Sequence, residues 1–376
     1  MIVKRLTLTG FKNIAGASLE FSPRINCLLG DNGMGKSNLL DALYVLSYCR
    51  SFSGLADSAL IRRGDEFAML RGDYRRRGAD EDIAAVLRPG RRKSLKRGGK
   101  EYGRLADHIG LFPLVLVSPA DMELVSGEAG ERRRFLDQIA AQSEPRFLDA
   151  LQRYGQALMQ RNRLLKADTM ADGALFDAIE LQMEAAATII TEGRRRVVEN
   201  LRPLFAATYA AIAGATEVPG ITYRPSILPD ETTPWSARRA RDRAAGFTTA
   251  GPHRDEVEML IGDAPVRRVA SQGQAKTYTT ALRLAQHSLL HRRMGISPLL
   301  LLDDIFDKLD SRRVAAIVRL VGSGDYGQIF ITDTNRAHLD EIVGEIAGSG
   351  APARLWSVSD GNFTLLDDVE PHSNGQ

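Results

Sequence analysis

The strongest constraint on this chain is the eight-residue loop Gly30-Asp31-Asn32-Gly33-Met34-Gly35-Lys36-Ser37. It follows the apolar run Ile25-Asn26-Cys27-Leu28-Leu29 and precedes Leu39, Leu40, Leu43 and Leu46, which share one helical face. Strand, glycine loop and helix form the setting in which a triphosphate is held. Glycines let backbone N–H groups converge on the phosphates, the lysine reaches the terminal oxygens, and the serine at the head of the helix offers a hydroxyl to magnesium. A plain glycine turn has no need of Lys-Ser at these positions. The fold is therefore expected to be α/β, built around a P-loop.

The acidic complement of such a loop arrives only at Leu299-Leu300-Leu301-Leu302-Asp303-Asp304. Four leucines bury the strand and bring Asp303 out at its end, placed for the magnesium shell, with Asp304 next to it to orient an attacking water as general base. Just upstream, Ser271-Gln272-Gly273-Gln274 opens the helical run from Lys276 to Arg292. A serine and a glycine at a helix N-terminus make an anion site, and Ser271 also reads as an ordinary N-cap. The economical solution is that this helix caps the γ-phosphate held by a second copy of the chain, since Lys36 already serves one end of that anion.

What lies between the two halves explains their separation. Residues 66–117 read as strands, clearest at 68–70, 83–87 and 114–117. Phe147, Leu151, Tyr154 and Leu158, and after a polar break at Asp168 to Gly173 also Phe176, Ile179, Met183, Ala186 and Ile190, recur at helical intervals. They predict an antiparallel helical hairpin. The expected organisation is a head made of residues 1–125 and 245–366, an inserted helical arm over 126–244, and a disordered tail over 367–376. Strands resume in the head around Val257 to Ile261.

At 376 residues about two domains are expected. Neither an apolar run of about 20 residues nor an N-terminal apolar signal region is present, so a cytoplasmic, non-membrane protein is expected. Cys27 and Cys49 cannot build a disulfide framework and read as packing residues. The formal charge of +3 does not point to a polyanion, but between Arg88 and Arg104 eight basic residues face one acid, Glu101. Arg91, Arg92, Lys93 and Lys96 in that stretch are candidate DNA-phosphate contacts, the alternative being a solvated hairpin tip. Further basic clusters at Arg132-Arg133-Arg134 and Arg194-Arg195-Arg196 are expected on the polar faces of the helices, and Arg238 to Arg243 forms another basic run.

Taken in order, Gly30 to Ser37, Ser271 to Gln274, and Leu301-Leu302-Asp303-Asp304 through Asp310 resemble the ATP-binding-cassette (ABC) ATPase heads of the structural-maintenance-of-chromosomes (SMC) type. The opening Leu6-Thr7-Leu8-Thr9-Gly10-Phe11-Lys12-Asn13-Ile14, the stretch from Ser118-Pro119-Ala120-Asp121 to Asp137, and Gly251-Pro252-His253-Arg254-Asp255 narrow the resemblance to the RecF family of bacterial recombination mediators. It covers the chain apart from the tail. The resemblance implies an ABC-type P-loop ATPase head with an inserted helical subdomain. It also implies a homodimer formed on ATP with Mg2+, slow ATP hydrolysis, binding to gapped DNA at single-strand/duplex boundaries, and partners of the RecO and RecR type that help direct RecA to gaps.

Carried over by motif, Gly30, Asp31, Asn32, Gly33, Met34, Gly35, Lys36, Ser37 and Asn38 bind nucleotide, with Lys12 near it; Ser37 and Asp303 hold the metal. Asp304 acts with Lys36 in catalysis, and Ser271, Gly273, Gln274 and Asp310 act in trans. Apart from these carried-over roles, His253 and Arg254 are candidates for lining the DNA-facing groove, the alternative for the histidine being a structural place in a strand turn. Three departures stand out: no lid glutamine follows residues 114–117, Thr332-Asp333-Thr334 occupies the place of a switch histidine, and Asp304 replaces a glutamate. All three agree with a slow switch. The competing class, a nucleotide-binding subunit of a membrane transporter, requires that glutamine, that histidine and a shorter gap between the half-sites. A chromosome-tethering protein would need longer heptad arms than residues 130–212 supply.

Overall fold

The computed structural model describes residues 1–167, 173–228, 233–307, 309–347 and 351–369. The expected polar turn at 168–172, Lys308 and residues 370–376 of the expected tail lie outside the described residues. The chain forms two compact units, one of Met1–Met122, Ala207–Thr216 and Ser271–Gln376, the other of Glu123–Ala206 and Glu217–Ala270.

The first unit opens with strands β1 (Ile2–Phe11), β2 (Ile14–Glu20) and β3 (Ile25–Leu29) and the helix Lys36–Tyr48. There follow β4 (Ala68–Arg76), β5 (Ala79–Leu87), β6 (Ser94–Arg97), β7 (Lys100–Glu101) and β8 (Leu114–Val117). Six of these strands make one antiparallel sheet in the order β2-β1-β4-β5-β6-β7. Alternation puts Leu6 and Leu8 of β1, Ala68, Leu70 and Tyr74 of β4, and Ile83, Ala85 and Leu87 of β5 into one core. The basic segment holds two turns: residues 88–93 join β5 to β6, and Gly98-Gly99 joins β6 to β7.

The second unit carries the helices Ala129–Ser143, Pro145–Lys166 and most of Gly173–Ala213, with a three-stranded sheet of β9 (Pro219–Arg224), β10 (Glu256–Ile261) and β11 (Ala264–Pro265). Since β10 pairs with β9 and β11, the strand expected to re-enter the head at residue 257 belongs to the second unit, which runs on to Ala270 rather than ending at 244. The inward line of the helix Pro145–Lys166 is Phe147, Ala150, Tyr154, Ala157, Arg161 and Leu165, while Leu151 and Leu158 are only half-buried. Arg161 is fully buried because acids meet it there: Glu180 at 3.0 Å and Asp242 at 2.6 Å, with Thr248 accepting at 2.8 Å.

The arginine clusters of this unit are largely spent on holding it together. Arg132 donates to the Val257 and Gly127 carbonyls, both at 2.9 Å, and Arg133 to the Asp255 carbonyl at 2.8 Å. Arg194 is buried between Asp137 at 2.8 Å and Asp255 at 2.9 Å, and also donates to the Pro252 carbonyl. Arg196 pairs with Glu144 and Arg239 with Glu180 and Asp177. Burial and pairing thus remove most of the basic face expected here. Arg194→Ala would strand two carboxylates and is expected to cost about 3–5 kcal/mol. The chain has two tryptophans, Trp235 and Trp356, one in each unit. In a Trp356→Phe background the urea midpoint of Trp235 fluorescence should fall on adding Arg194→Ala; an unchanged midpoint would show that the cluster contributes nothing.

Returning to the first unit, the helix Gln272–Met294 leads to β12 (Leu299–Asp303), β13 (Ile329–Asp333), β14 (Ala353–Ser359) and β15 (Asn362–Val369), with the helices Ser311–Gly322 and Arg336–Ala347 between them. A second six-stranded sheet runs β15-β14-β3-β13-β12-β8, parallel except for β15. Uninterrupted apolar runs such as Leu299–Leu302 suit strands covered on both faces. Gln328, fully buried, ties the two sheets together: its amide oxygen accepts from Val3 N at 2.7 Å and its nitrogen donates to the Val3 and Ser22 carbonyls at 2.8 Å. Asp367, Asp368 and Val369, expected in the tail, instead complete β15, where Asp368 pairs with Arg354 at 2.9 Å. No helix among the described residues is long and apolar enough to cross a membrane.

Candidate nucleotide site

Parallel packing of β3, β13 and β12 brings the ends of the phosphate-loop strand and the acidic strand to the same edge of the sheet, where open α/β sheets bind ligands. Backbone crowding dictates the loop's composition. A Cβ on Gly30 would lie 2.3 Å from the Val358 carbonyl oxygen, and Gly35, with φ of 117°, caps the following helix in a conformation that L side chains avoid. The Lys36 ammonium folds back on its own loop, donating to the Gly30 carbonyl and to the Asp31 carbonyl at 2.9 Å. Burial lowers its pKa, opposed by the carboxylates of Asp304, Asp303, Asp333 and Asp31.

Ser37 Oγ donates to Asp303 Oδ1 at 2.8 Å. Thr332 Oγ1 donates to the same oxygen at 2.8 Å and accepts the Asp304 amide at 3.0 Å. Burial raises the Asp303 carboxyl pKa, and the bonds from Thr332 and Ser37 pull it back down. Asp304 takes a left-handed backbone, φ 49°, and among the described residues its carboxylate makes no hydrogen bond or ion pair. The donor set fits a hard cation. Two adjacent ligands on an octahedral magnesium lie about 3 Å apart, close to the spacing of Ser37 Oγ and Asp303 Oδ1, and both are oxygens. No group of three or more His, Cys, Asp or Glu side chains suited to a metal exists among the described residues.

Of the remaining sequence candidates, Asp31, Asn32 and Gly33 are exposed on the loop, and Asn38 donates to Asn13 Oδ1 at 2.8 Å. Asn13 in turn donates to the Met34 carbonyl at 3.2 Å, bracing the loop from β1's turn. Lys12 is instead engaged with buried Asp41 at 2.6 Å. Ser271 and Gln274 close a capping box at the head of their helix, with bonds of 2.8 and 3.2 Å, and Gly273 O accepts from Thr277. Asp310 caps the helix Ser311–Gly322 through Arg313 N. Arg91, Arg92 and Lys96 are exposed, whereas Lys93 is tied to Asp57 at 2.6 Å and to the Cys49 carbonyl.

His253 donates from Nε2 to the Thr248 carbonyl at 2.9 Å, so its Nδ1 accepts from Tyr154, and burial lowers its pKa. It is a packing histidine. Where a lid glutamine was sought, Asp121 bonds Arg283 and Ser118 N. Both thiols are buried, and burial pushes each up to about 12, which leaves them unreactive. The bonds that Asn13 makes to the loop and Thr332 makes to Asp303 come from a turn and a strand register rather than from a motif.

A parallel sheet carrying a phosphate loop and an acidic strand end, beside an antiparallel sheet, defines an ABC-type P-loop ATPase head. The model of the RecF/RecN/SMC N terminal domain matches residues 2–348. DNA replication and repair protein RecF of Porphyromonas gingivalis (strain ATCC BAA-308 / W83) is 47% identical over 368 residues, covering 96% of this chain and all of that one. Among solved structures, the recombination mediator RecF-ATPrS of the RecFOR pathway superposes with a TM-score of 0.85 at 25% identity, covering 97% of this chain and 98% of that one. An Smc head with an extended coiled coil, bound to the C-terminal domain of ScpA and derived from Pyrococcus furiosus, shares the fold at a TM-score of 0.57 and 18% identity, covering 97% and 95%. The chain belongs to the RecF family of DNA replication and repair proteins. The transporter reading finds no support in these relatives.

Proposed function

We propose that the chain is an ATP-dependent, DNA-binding switch that dimerises around ATP and, with RecO- and RecR-type partners, helps direct RecA to single-strand gaps in duplex DNA. The observation that carries this reading is the convergence of Ser37, Asp303 and Asp304 at one sheet edge beside Lys36. When ATP binds, Lys36 exchanges the Gly30 and Asp31 carbonyls for phosphate oxygens. Ser37 and Asp303 would hold magnesium, which neutralises charge on the phosphates. Asp304, with its carboxylate free, accepts the proton of the attacking water. An aspartate reaches less far than a glutamate, which fits slow turnover. Ser271 and Gly273 of a second copy would cap the γ-phosphate, with Gln274 and Asp310 at the same junction. Lys12 contributes only if it leaves Asp41.

DNA contacts are assigned to Arg91 and Arg92 on the turn between β5 and β6 and to Lys96 on β6 itself, and they would go to phosphates rather than base edges. The test is titration of gapped, duplex and single-stranded DNA at rising salt, with and without ATP. Binding should need ATP and favour gapped DNA. Replacing Arg91, Arg92 and Lys96 by alanine should make the log–log salt slope shallower by about 2–3, since each phosphate contact contributes about 0.9. Lys93→Ala should leave the slope nearly unchanged while lowering stability, because that ammonium is already paired with Asp57. Equal affinity with and without ATP would overturn the switch; an unchanged slope would leave the tip merely solvated.

A further inference from the structure

We propose that Thr332 is a positioning residue that locks the metal carboxylate and the catalytic base into one unit, an inference that rests on the roles given above to Asp303 and Asp304. Thr332 is fully buried on β13, directly opposite Asp303 in the parallel register. Its hydroxyl has one proton to give. The Asp304 amide can only donate, so at 3.0 Å the hydroxyl accepts there, and its own proton goes to Asp303 Oδ1 at 2.8 Å. A single hydroxyl thus relays one chain of hydrogen bonds from the backbone of the base to the carboxylate that would hold the metal.

Two further facts give this relay work to do. Asp303 Oδ1 also accepts from Ser37, so two hydroxyls hold this oxygen, one carried by the phosphate-loop helix and the other, Thr332, by the neighbouring strand. Asp304 sits at φ 49°, a conformation costing a non-glycine residue about 1 kcal/mol or more unless its surroundings hold it. Thr332 bonds the amide of that same residue, and its bond keeps the backbone in the orientation that leaves the carboxylate free.

The variants are Thr332→Val, which keeps the shape and removes the hydroxyl, and Thr332→Ser, which keeps the hydroxyl. In the full-length protein without nucleotide, the Asp304 amide should exchange its hydrogen faster in the valine variant than in wild type. With ATP, kcat should fall about 10- to 100-fold, the worth of a lost hydrogen bond to a charged group. KM for ATP should move less than about 3-fold, and the magnesium concentration for half-maximal rate should rise, because the positioning is felt at the metal and the base rather than along the phosphates. Serine should restore all three. Thr332→Ala serves the same purpose if valine prevents folding.

Unchanged exchange and kcat in the valine variant would overturn the proposal, as would a serine variant no better than valine. Asp304→Asn separates the underlying reading. If that variant hydrolyses ATP normally, Asp304 is not the base and the proposed coupling is overturned with it. If it is inactive while Thr332→Val behaves as wild type, Asp304 keeps its role and only the positioning by Thr332 fails.

Discussion

Lys36→Ala is expected to lower ATP affinity about 100-fold and to abolish ATP-induced dimerisation, the largest effect that any single side chain in the site should produce. The lysine is the cation facing Asp303, Asp304, Asp333 and Asp31, whose fields all favour its charge. Without it, an incoming triphosphate meets those carboxylates uncompensated and also loses charge-assisted bonds of about 1.5–3 kcal/mol each. The apoprotein should barely notice. Among the described residues Lys36 is bonded there only to carbonyls of its own loop. Sedimentation velocity with and without ATP gives the readout: wild type should change mass and Lys36→Ala should not. A wild type of constant mass would remove the dimer from the scheme.

The second large effect is expected at Ser271. An arginine there should leave ATP binding within about 3-fold of wild type and reduce dimerisation and hydrolysis at least 100-fold. Ser271 is exposed and Gln274 half-buried, and the two are engaged with each other at the head of their helix, so the substitution should not disturb the loop expected to bind nucleotide. It does remove an N-cap, at a cost of about 1 kcal/mol. Ser271→Asn controls for that, since asparagine also caps. It should preserve the helix while weakening the dimer less than arginine. Normal turnover by Ser271→Arg would mean that the serine is an N-cap and nothing more.

Legibility in the sequence followed distance along the chain. Gly30 to Ser37 could be read because strand, loop and helix are contiguous, and Asp303 because four leucines announce a buried strand. Thr332 was visible only as a missing histidine. Its meaning comes from lying opposite Asp303 across two parallel strands, and no local pattern encodes a register. The arginines misled for a related reason. Arg194 looks like a surface residue until Asp137 and Asp255, remote from it in sequence, meet it in the interior. The same blindness shifted the helical seam, since Ala150, Ala157 and Arg161 occupy positions that a search for large apolar residues assigns elsewhere.

The placing of β3 bears on how the protein is made. This strand, which launches the phosphate loop from residue 30, pairs with β13 on one side and β14 on the other, and Gly30 N reaches the Asp333 carbonyl at 3.4 Å. During synthesis it therefore leaves the ribosome with both edges bare and waits for about 300 more residues, which at roughly 5–20 residues per second is tens of seconds. Closing so long a loop is slow and exposes an apolar strand in the meantime, making this a point where chaperones would be needed. It also means that a chain broken off before β13 lacks the strand against which the phosphate-loop strand is set, so under the proposed switch an unfinished copy would have no means of joining an intact one.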